Sequence, residues 1–188
     1  ALKTTFRDNR FIDDDYRAEL MSLKGNGFTV YTEGNWGVLR GAIYDSFLQD
    51  AWPASFDETI WGLDFGFNNP TALVRIDLKD REPYLTEAIY QSGLTTADLI
   101  DRMKQIMAAP TVPGGLRRDP IYADPAEPDR IEELRRAGFN VRPAVKGQNS
   151  VLAGINFVKG LRIHTKPGNE NLNAENDSYV WEEDVNGE

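Results

Sequence analysis

Apolar runs in the middle of the chain predict three neighbouring strands. Residues 58–66 predict a strand buried on both faces, and residues 70–78 and 83–91 predict two further strands joined to it by turns. Asp64 lies inside the first run, where a buried charge requires a cation, a set of hydrogen-bond donors or a metal. A structural aspartate that is satisfied by hydrogen bonds, or that lies near a strand end, is an equally open interpretation.

The second half of the chain alternates between helical and extended patterns. Apolar residues at helical spacing predict a helix over residues 95–108, and we interpret its methionines as core residues. The pattern then predicts a strand at 121–123, a helix from Pro128 to a stop at Gly138, a strand at 140–145, a helix at 151–158 and a last strand at 162–165. This order predicts an α/β fold, with a mixed sheet of three antiparallel strands followed by parallel strands and with flanking helices.

Other segments have weaker patterns. Residues 13–24 predict a helix, because their apolar positions share one face and acidic residues precede it. The Pro- and Gly-rich residues 110–119 predict a loop. We interpret the acidic, Asn-rich residues from 167 onward as a tail that docks onto the core through Tyr179 and Trp181.

Composition restricts the chemistry that the chain can support. The 188 residues suffice for one domain with an appendage, and no apolar run approaches the roughly 18 residues of a membrane span. The absence of cysteine and the single histidine, His164, exclude disulfides, zinc–thiolate sites and multi-histidine sites. We interpret His164 as a residue on a strand face. Any metal must be held mainly by carboxylates, which favours Mg²⁺ or Mn²⁺.

Charge is distributed unevenly along the chain. The formal net charge is -9, which by itself argues against binding to nucleic acid. Residues 129–167, however, carry eight Lys and Arg against three acidic residues, a net of +5. This basic segment is compatible with a local phosphate-binding face, although solvated helix charges are at least as good an explanation for Arg135 and Arg136.

A second acidic residue stands where a strand ends. Asp124 follows the short predicted strand at 121–123 and is followed at once by Pro125 and a helix. Open α/β sheets bind ligands at the carboxyl edge of their strands, which favours a functional residue over a turn aspartate bonded to its own backbone. Together with Asp64, it predicts a site for two divalent metals about 4 Å apart, which hydrolyse phosphodiesters.

Other catalytic motifs fail on their context. Asp64-Phe65-Gly66 spells a kinase metal motif, but the chain has no glycine-rich loop and no His-Arg-Asp loop. The chain contains no P-loop signature and no nucleophile elbow.

The order of several motifs resembles one family, the C-terminal nuclease domains of the large terminase subunits of tailed bacteriophages. The matching stretches are Thr4–Phe11, Glu19–Gly25, Gly34–Gly37, Trp61–Phe67 with Asn69–Ala72, Tyr122–Pro128, and Lys146–Ser150 leading to Gly154-Ile155. The resemblance implies an RNase H-like fold and a metal-dependent endonuclease that cuts concatemeric double-stranded DNA by two-metal hydrolysis with Mg²⁺ or Mn²⁺. It also implies an ATPase domain, a small subunit and a portal as partners in the host cell cytoplasm.

Carried over by position, the resemblance makes Asp64 the first catalytic metal ligand and Asp124 the second. The family's third carboxylate follows a Tyr-x-Trp stretch, in a pattern like Asp-His-x-x-Asp-Ala. That pattern does not follow Tyr179–Trp181 here, so we expect the third ligand to lie beyond Glu188. Asp177, Glu183 and Asp184 are substitutes for which the spacing gives no argument.

The resemblance also assigns domains and weaker site residues. Residues 1–45 are expected to lead from an ATPase domain, and residues 46–188 to form the nuclease domain, truncated at its C-terminus. Glu87 is a candidate for the rim of the site, and Lys146 is the candidate contact to a nucleic-acid phosphate. Two alternatives stay open: a non-catalytic module that guides or docks DNA, and another RNase H-like nuclease that acts on junctions or RNA–DNA hybrids.

Overall fold

The computed structural model describes residues 13, 17, 42–44, 47–49, 51–108 and 115–181. The chain forms two compact units, one of Asp45–Asn176 and one of Ala1–Tyr44 with Asp177–Glu188. In the smaller unit, the Ile43 amide donates to the Tyr179 carbonyl at 2.9 Å. Most of the helix predicted over residues 13–24 lies outside the described residues.

A five-stranded mixed sheet forms the centre of the larger unit. Its strands are β1 (Glu58–Asp64), β2 (Thr71–Lys79), β3 (Glu82–Gln91), β4 (Ile121–Ala123) and β5 (Val141–Pro143). They lie in the order β3-β2-β1-β4-β5, with antiparallel pairing from β1 to β3 and parallel pairing of β4 with β1 and β5. The predicted antiparallel meander that continues into parallel strands is therefore confirmed.

Five helices accompany the sheet in the described part of the chain. They are α1 (Thr96–Ala108), α2 (Gly115–Arg118), α3 (Pro128–Arg136), α4 (Ser150–Lys159) and α5 (Glu170–Ser178). Helices α1, α3 and α4 are close to their predicted bounds, whereas α2 and α5 were expected to be a loop and part of an acidic tail. None of the helices in the described ranges is both long enough and apolar enough to cross a bilayer.

The strand predicted at residues 162–165 is not a strand. His164 forms isolated parallel bridges with Leu48 and Tyr84, and the pairing extends no further. Its amide donates to the Pro83 carbonyl at 2.9 Å, and its carbonyl accepts from the amide that follows Tyr84 at 2.8 Å.

A side chain replaces the strand at that point. Asn169 Nδ2 donates to the Leu85 carbonyl at 2.8 Å, and Asn169 Oδ1 accepts from the Glu87 amide at 2.9 Å. These are the next two β3 backbone groups that a parallel strand would have bonded. Because one buried amide satisfies both, the chain is free to leave the sheet edge and begin α5.

The core lies between the sheet and helices α1 and α3. Its fully buried members include Trp61, Leu73, Leu99, Met103, Ile121 and Leu134. Met103 has no exposed surface, and Met107 packs against the same cluster, which confirms the interpretation of these methionines as core. This packing holds β1 and β4 side by side and so determines which residues meet at their carboxyl ends.

Candidate functional site

Asp64 is the last residue of β1, the central strand of the sheet. Trp61 and Leu63 are buried, whereas Asp64 is exposed. The expectation that Asp64 lies inside a run buried on both faces is therefore wrong, because the strand ends at this residue and its side chain reaches solvent. An exposed carboxylate on a rigid central strand needs no structural partner and is accessible to a ligand.

The turn after Asp64 is tightly constrained. Thr71 is fully buried, and its Oγ1 donates to the Gly66 carbonyl at 2.7 Å and accepts from the Gly66 amide at 3.1 Å. A Cβ at Gly66 would lie 2.3 Å from the Asn69 carbonyl oxygen. The turn therefore requires glycine at this position and fixes the backbone beside Asp64.

Asp124 follows β4 at the same edge of the sheet. The parallel register pairs Leu63 with Ala123, so the two aspartates are the next residues on adjacent strands. Asp124 Oδ1 accepts from the Ala126 amide at 2.9 Å, the contact expected of a turn aspartate. The carboxylate thus has both features predicted for it: it bonds its own turn, and it stands beside Asp64.

Lys146 completes the group from the loop between β5 and α4. Its Nζ lies 2.9 Å from Asp124 Oδ1 and 2.8 Å from Oδ2. The side chain of Lys146 is 57% exposed and that of Asp124 31% exposed. The predicted phosphate contact therefore lies at the site, but its ammonium is paired with a carboxylate.

The two aspartates have opposite electrostatic surroundings. Partial burial of the Asp64 carboxyl, followed by the negative charge of Asp124, raises the pKa of Asp64, and the charge of Lys146 only partly opposes this. Hydrogen bonds from Lys146 and from the Ala126 amide lower the pKa of Asp124. The site therefore has negative charge in excess, and an additional cation would stabilise it.

Glu175 is a neighbour of the site that the sequence did not reveal. Its negative charge contributes to the raised pKa of Asp64, and its Oε1 accepts from Tyr90 Oη at 2.7 Å. This hydrogen bond is the main cause of the raised pKa of Tyr90. Glu175 lies on α5, which has no apolar stripe that would have predicted a helix docked here.

Glu87 does not line the site, contrary to expectation. Its Oε2 accepts from the Leu172 amide at 2.7 Å, and its Oε1 accepts from Asn171 Nδ2 at 2.7 Å. Both oxygens are thus engaged at the N-terminus of α5, where an acidic side chain is favourable. Glu87 therefore holds the helix that carries Glu175.

Replacement of Asn169 by alanine is expected to loosen α5. Asn169 is 1% exposed, and its side chain makes three hydrogen bonds, so its loss leaves buried β3 backbone groups unpaired. We expect a loss of roughly 2–3 kcal/mol in the free energy of unfolding. Urea denaturation measures this loss, with Asn171→Ala as the control because Asn171 is exposed. Equal losses in the two variants would contradict the expectation.

His164 lies at the other end of the sheet. Its Nε2 is 2.9 Å from Glu82 Oε2, and its ring stacks on Tyr84 with centroids 4.2 Å apart. Glu82 begins β3 and pairs with Lys79, whereas the site is at the end of the sheet where β3 pairs with the start of β2. The interpretation of His164 as a residue outside the site is confirmed.

The residues at this edge fit a hard divalent cation. Asp64 and Asp124 supply carboxylate oxygens, the ligands that Mg²⁺ and Mn²⁺ prefer, and their surroundings carry excess negative charge. Within the ranges that the structure describes, no three His, Cys, Asp or Glu side chains are placed to hold one metal ion. The predicted third ligand is therefore not found among those residues.

Comparison with known proteins gives one family match. A family model described as a terminase RNase H-like domain matches residues 64–188. No curated protein matches the chain significantly.

Solved structures give the same fold. The large terminase (g2p) nuclease domain of bacteriophage SPP1, solved with bound Mn, is 23% identical, with 76% of this chain and 82% of that chain covered and a TM-score of 0.62. The nuclease of phage G20c with bound magnesium is 14% identical over 79% of this chain and 85% of that chain, with a TM-score of 0.55. These likenesses confirm the RNase H-like α/β fold.

A longer relative extends beyond this chain. A large terminase from another thermophilic bacteriophage, solved in complex with ATP-gamma-S, is 27% identical over 97% of this chain, with a TM-score of 0.57. Only 48% of that protein is covered, so the chain spans about half its length.

Proposed function

Because the chain belongs to the family of terminase RNase H-like domains, we propose that it is the metal-dependent endonuclease domain of a viral DNA-packaging terminase. Its substrate is concatemeric double-stranded DNA, and its reaction is the hydrolysis of a phosphodiester bond. The observation that carries this proposal is the placement of Asp64 and Asp124 on adjacent parallel strands at one sheet edge. Ligand sites of open α/β sheets occur at such edges.

Asp64 and Asp124 are the metal ligands in this proposal. The metals are Mg²⁺ or Mn²⁺, in keeping with the ions named for the SPP1 and G20c relatives. When bound, two such ions activate the attacking water and stabilise the leaving oxygen of the phosphodiester. The two aspartates hold the ions on rigid strand ends, and Lys146 supplies a positive charge for a DNA phosphate.

The assignment also proposes the wider setting of the domain. Residues 46–188 form the nuclease domain, and residues 1–45 lead from the ATPase domain of the same subunit. The similarity to the longer large terminase solved with ATP-gamma-S, half of which has no counterpart here, supports this arrangement. The small terminase subunit and the portal are the other proposed partners, and the host cell cytoplasm is the proposed location.

Cleavage of supercoiled plasmid in Mn²⁺, Mg²⁺ and EDTA tests the proposed function. We expect nicking and linearisation with either metal and none in EDTA. A four-way junction and an RNA–DNA hybrid, assayed in parallel, are expected to be cut more slowly than duplex DNA. Preferential cutting of the junction or the hybrid would favour a resolvase or a hybrid nuclease. Metal-independent DNA binding without cleavage of any substrate would favour a guiding or docking module.

A further inference from the structure

Lys146 engages Asp124 in the manner of a bound cation. Its ammonium lies within 2.9 Å of both carboxylate oxygens, so a single positive charge bridges them. The same charge acts on Asp64, where it opposes the effect of Asp124. Lys146 therefore offsets the negative charge of both aspartates from one position.

The pair is accessible and easily exchanged. More than half of the Lys146 side chain is exposed, and the preceding residue, Val145, is 96% exposed. A Cβ built at the following residue, Gly147, would meet no atom within 4 Å, so the loop here is not packed against its surroundings. An exposed lysine pair of this kind is weakly held, and the ammonium can leave the carboxylate for solvent.

The sequence around Lys146 disfavours another acidic partner nearby along the chain. Residues 134–169 contain seven Lys and Arg, namely those at 135, 136, 142, 146, 159, 162 and 166, and no Asp or Glu. A lysine in this run is drawn to the acidic residues at the ends of β1 and β4. Its pairing with Asp124 is therefore a property of the site as a whole.

We propose that Lys146 is a resident counter-ion of the site, which competes with a divalent cation for Asp124 and is displaced when that cation binds. This inference rests on the proposed function, because it assumes that Asp124 is a metal ligand. Displacement releases the ammonium toward solvent beside the site, where a DNA phosphate is proposed to lie. Metal affinity is then the difference between cation binding at Asp124 and release of Lys146.

Removal of the competitor is expected to strengthen metal binding. Titration of Mn²⁺, with the free ion followed by electron paramagnetic resonance and no DNA present, is expected to show roughly two- to fivefold tighter binding by Lys146→Met than by the wild type. Lys146→Arg keeps the charge and is expected to bind Mn²⁺ within about twofold of the wild type. In EDTA, Lys146→Met is expected to melt at a lower temperature, because the repulsion between the two aspartates is no longer offset.

Lys79→Met is the matched control. Lys79 Nζ lies 2.7 Å from Asp57 in another exposed pair, at the end of β2 that is distant from the site. It loses the same charge, so its Mn²⁺ affinity is expected to equal that of the wild type. Unchanged or weaker binding by Lys146→Met would overturn the inference and leave the proposed function intact. Absence of Mn²⁺ binding by the wild type and all variants would contradict the proposed function itself, and the inference with it.

Discussion

Asp64→Ala is expected to lower metal-dependent DNA cleavage by at least about 10³-fold and to leave the fold intact. A metal held by two carboxylates supplies several kcal/mol of transition-state stabilisation, and loss of one ligand removes most of it. Asp64 is exposed at the end of β1, so the truncation leaves the packed core unchanged. Asp124→Ala is expected to have an effect of the same order.

Substitution of Asp64 by asparagine should also stabilise the metal-free chain. Partial burial and the charge of Asp124 raise the pKa of Asp64 above its unfolded value, so the folded state binds the proton more tightly. Stability from this group is therefore greatest below the unfolded pKa and falls as pH rises through the raised folded pKa. At neutral pH the whole cost is present, and the neutral amide removes it.

Two measurements check these expectations: plasmid cleavage in Mn²⁺ for Asp64→Ala, and thermal denaturation in EDTA at pH 7 for Asp64→Asn. Asp57→Ala is the control, because Asp57 immediately precedes β1 at the opposite end of the strand from Asp64. We expect Asp57→Ala to cut DNA at the wild-type rate. Cutting by Asp64→Ala at that same rate would rule out Asp64 as a ligand. A lower melting temperature for Asp64→Asn would show that its charge stabilises the fold.

Gly66→Ala is expected to reduce both stability and cleavage. The new methyl group would overlap the backbone of Asn69 and Pro70 at 2.3–2.8 Å, so the turn must move. We expect a loss of about 2–3 kcal/mol in the free energy of unfolding, as for other forced overpacking. Because the turn adjoins Asp64, a displacement near 1 Å is expected to lower the cleavage rate by roughly 10²-fold.

Gly62→Ala provides the matched control in the same strand. Gly62 lies two residues before Asp64, and a Cβ there would meet nothing within 4 Å. Urea denaturation and plasmid cleavage are expected to give values close to those of the wild type. If Gly62→Ala and Gly66→Ala lost the same activity, the close approach at the turn would not be the cause.

Strand ends were the part of the site that the sequence predicted well. A short apolar run that ends in an aspartate and leads to a turn specifies both the strand and the edge of the sheet on which the carboxylate lies. Asp124 was located in this way, and parallel pairing with β1 places it beside Asp64. The burial of Asp64 was misjudged because an apolar run does not show at which residue the strand ends.

Helix α5 and its contacts could not be predicted because polar groups distant in sequence hold the helix. Asn169 bonds β3 residues 82 and 84 positions away, and Glu87 bonds the α5 amide of Leu172 85 positions away. None of these contacts leaves a periodic apolar pattern. The pairing of Lys146 with Asp124 escaped prediction for the same reason, since it joins two loops 22 residues apart.

The central claim is that Asp64 and Asp124 together hold the divalent metal. Anomalous X-ray diffraction from crystals soaked in Mn²⁺ tests it most directly, because the anomalous signal locates the ion independently of any assay. The account predicts a Mn²⁺ peak in contact with both carboxylates, with the ammonium of Lys146 moved away from Asp124. A Mn²⁺ peak bound elsewhere, with both aspartates unligated at a saturating concentration, would contradict it.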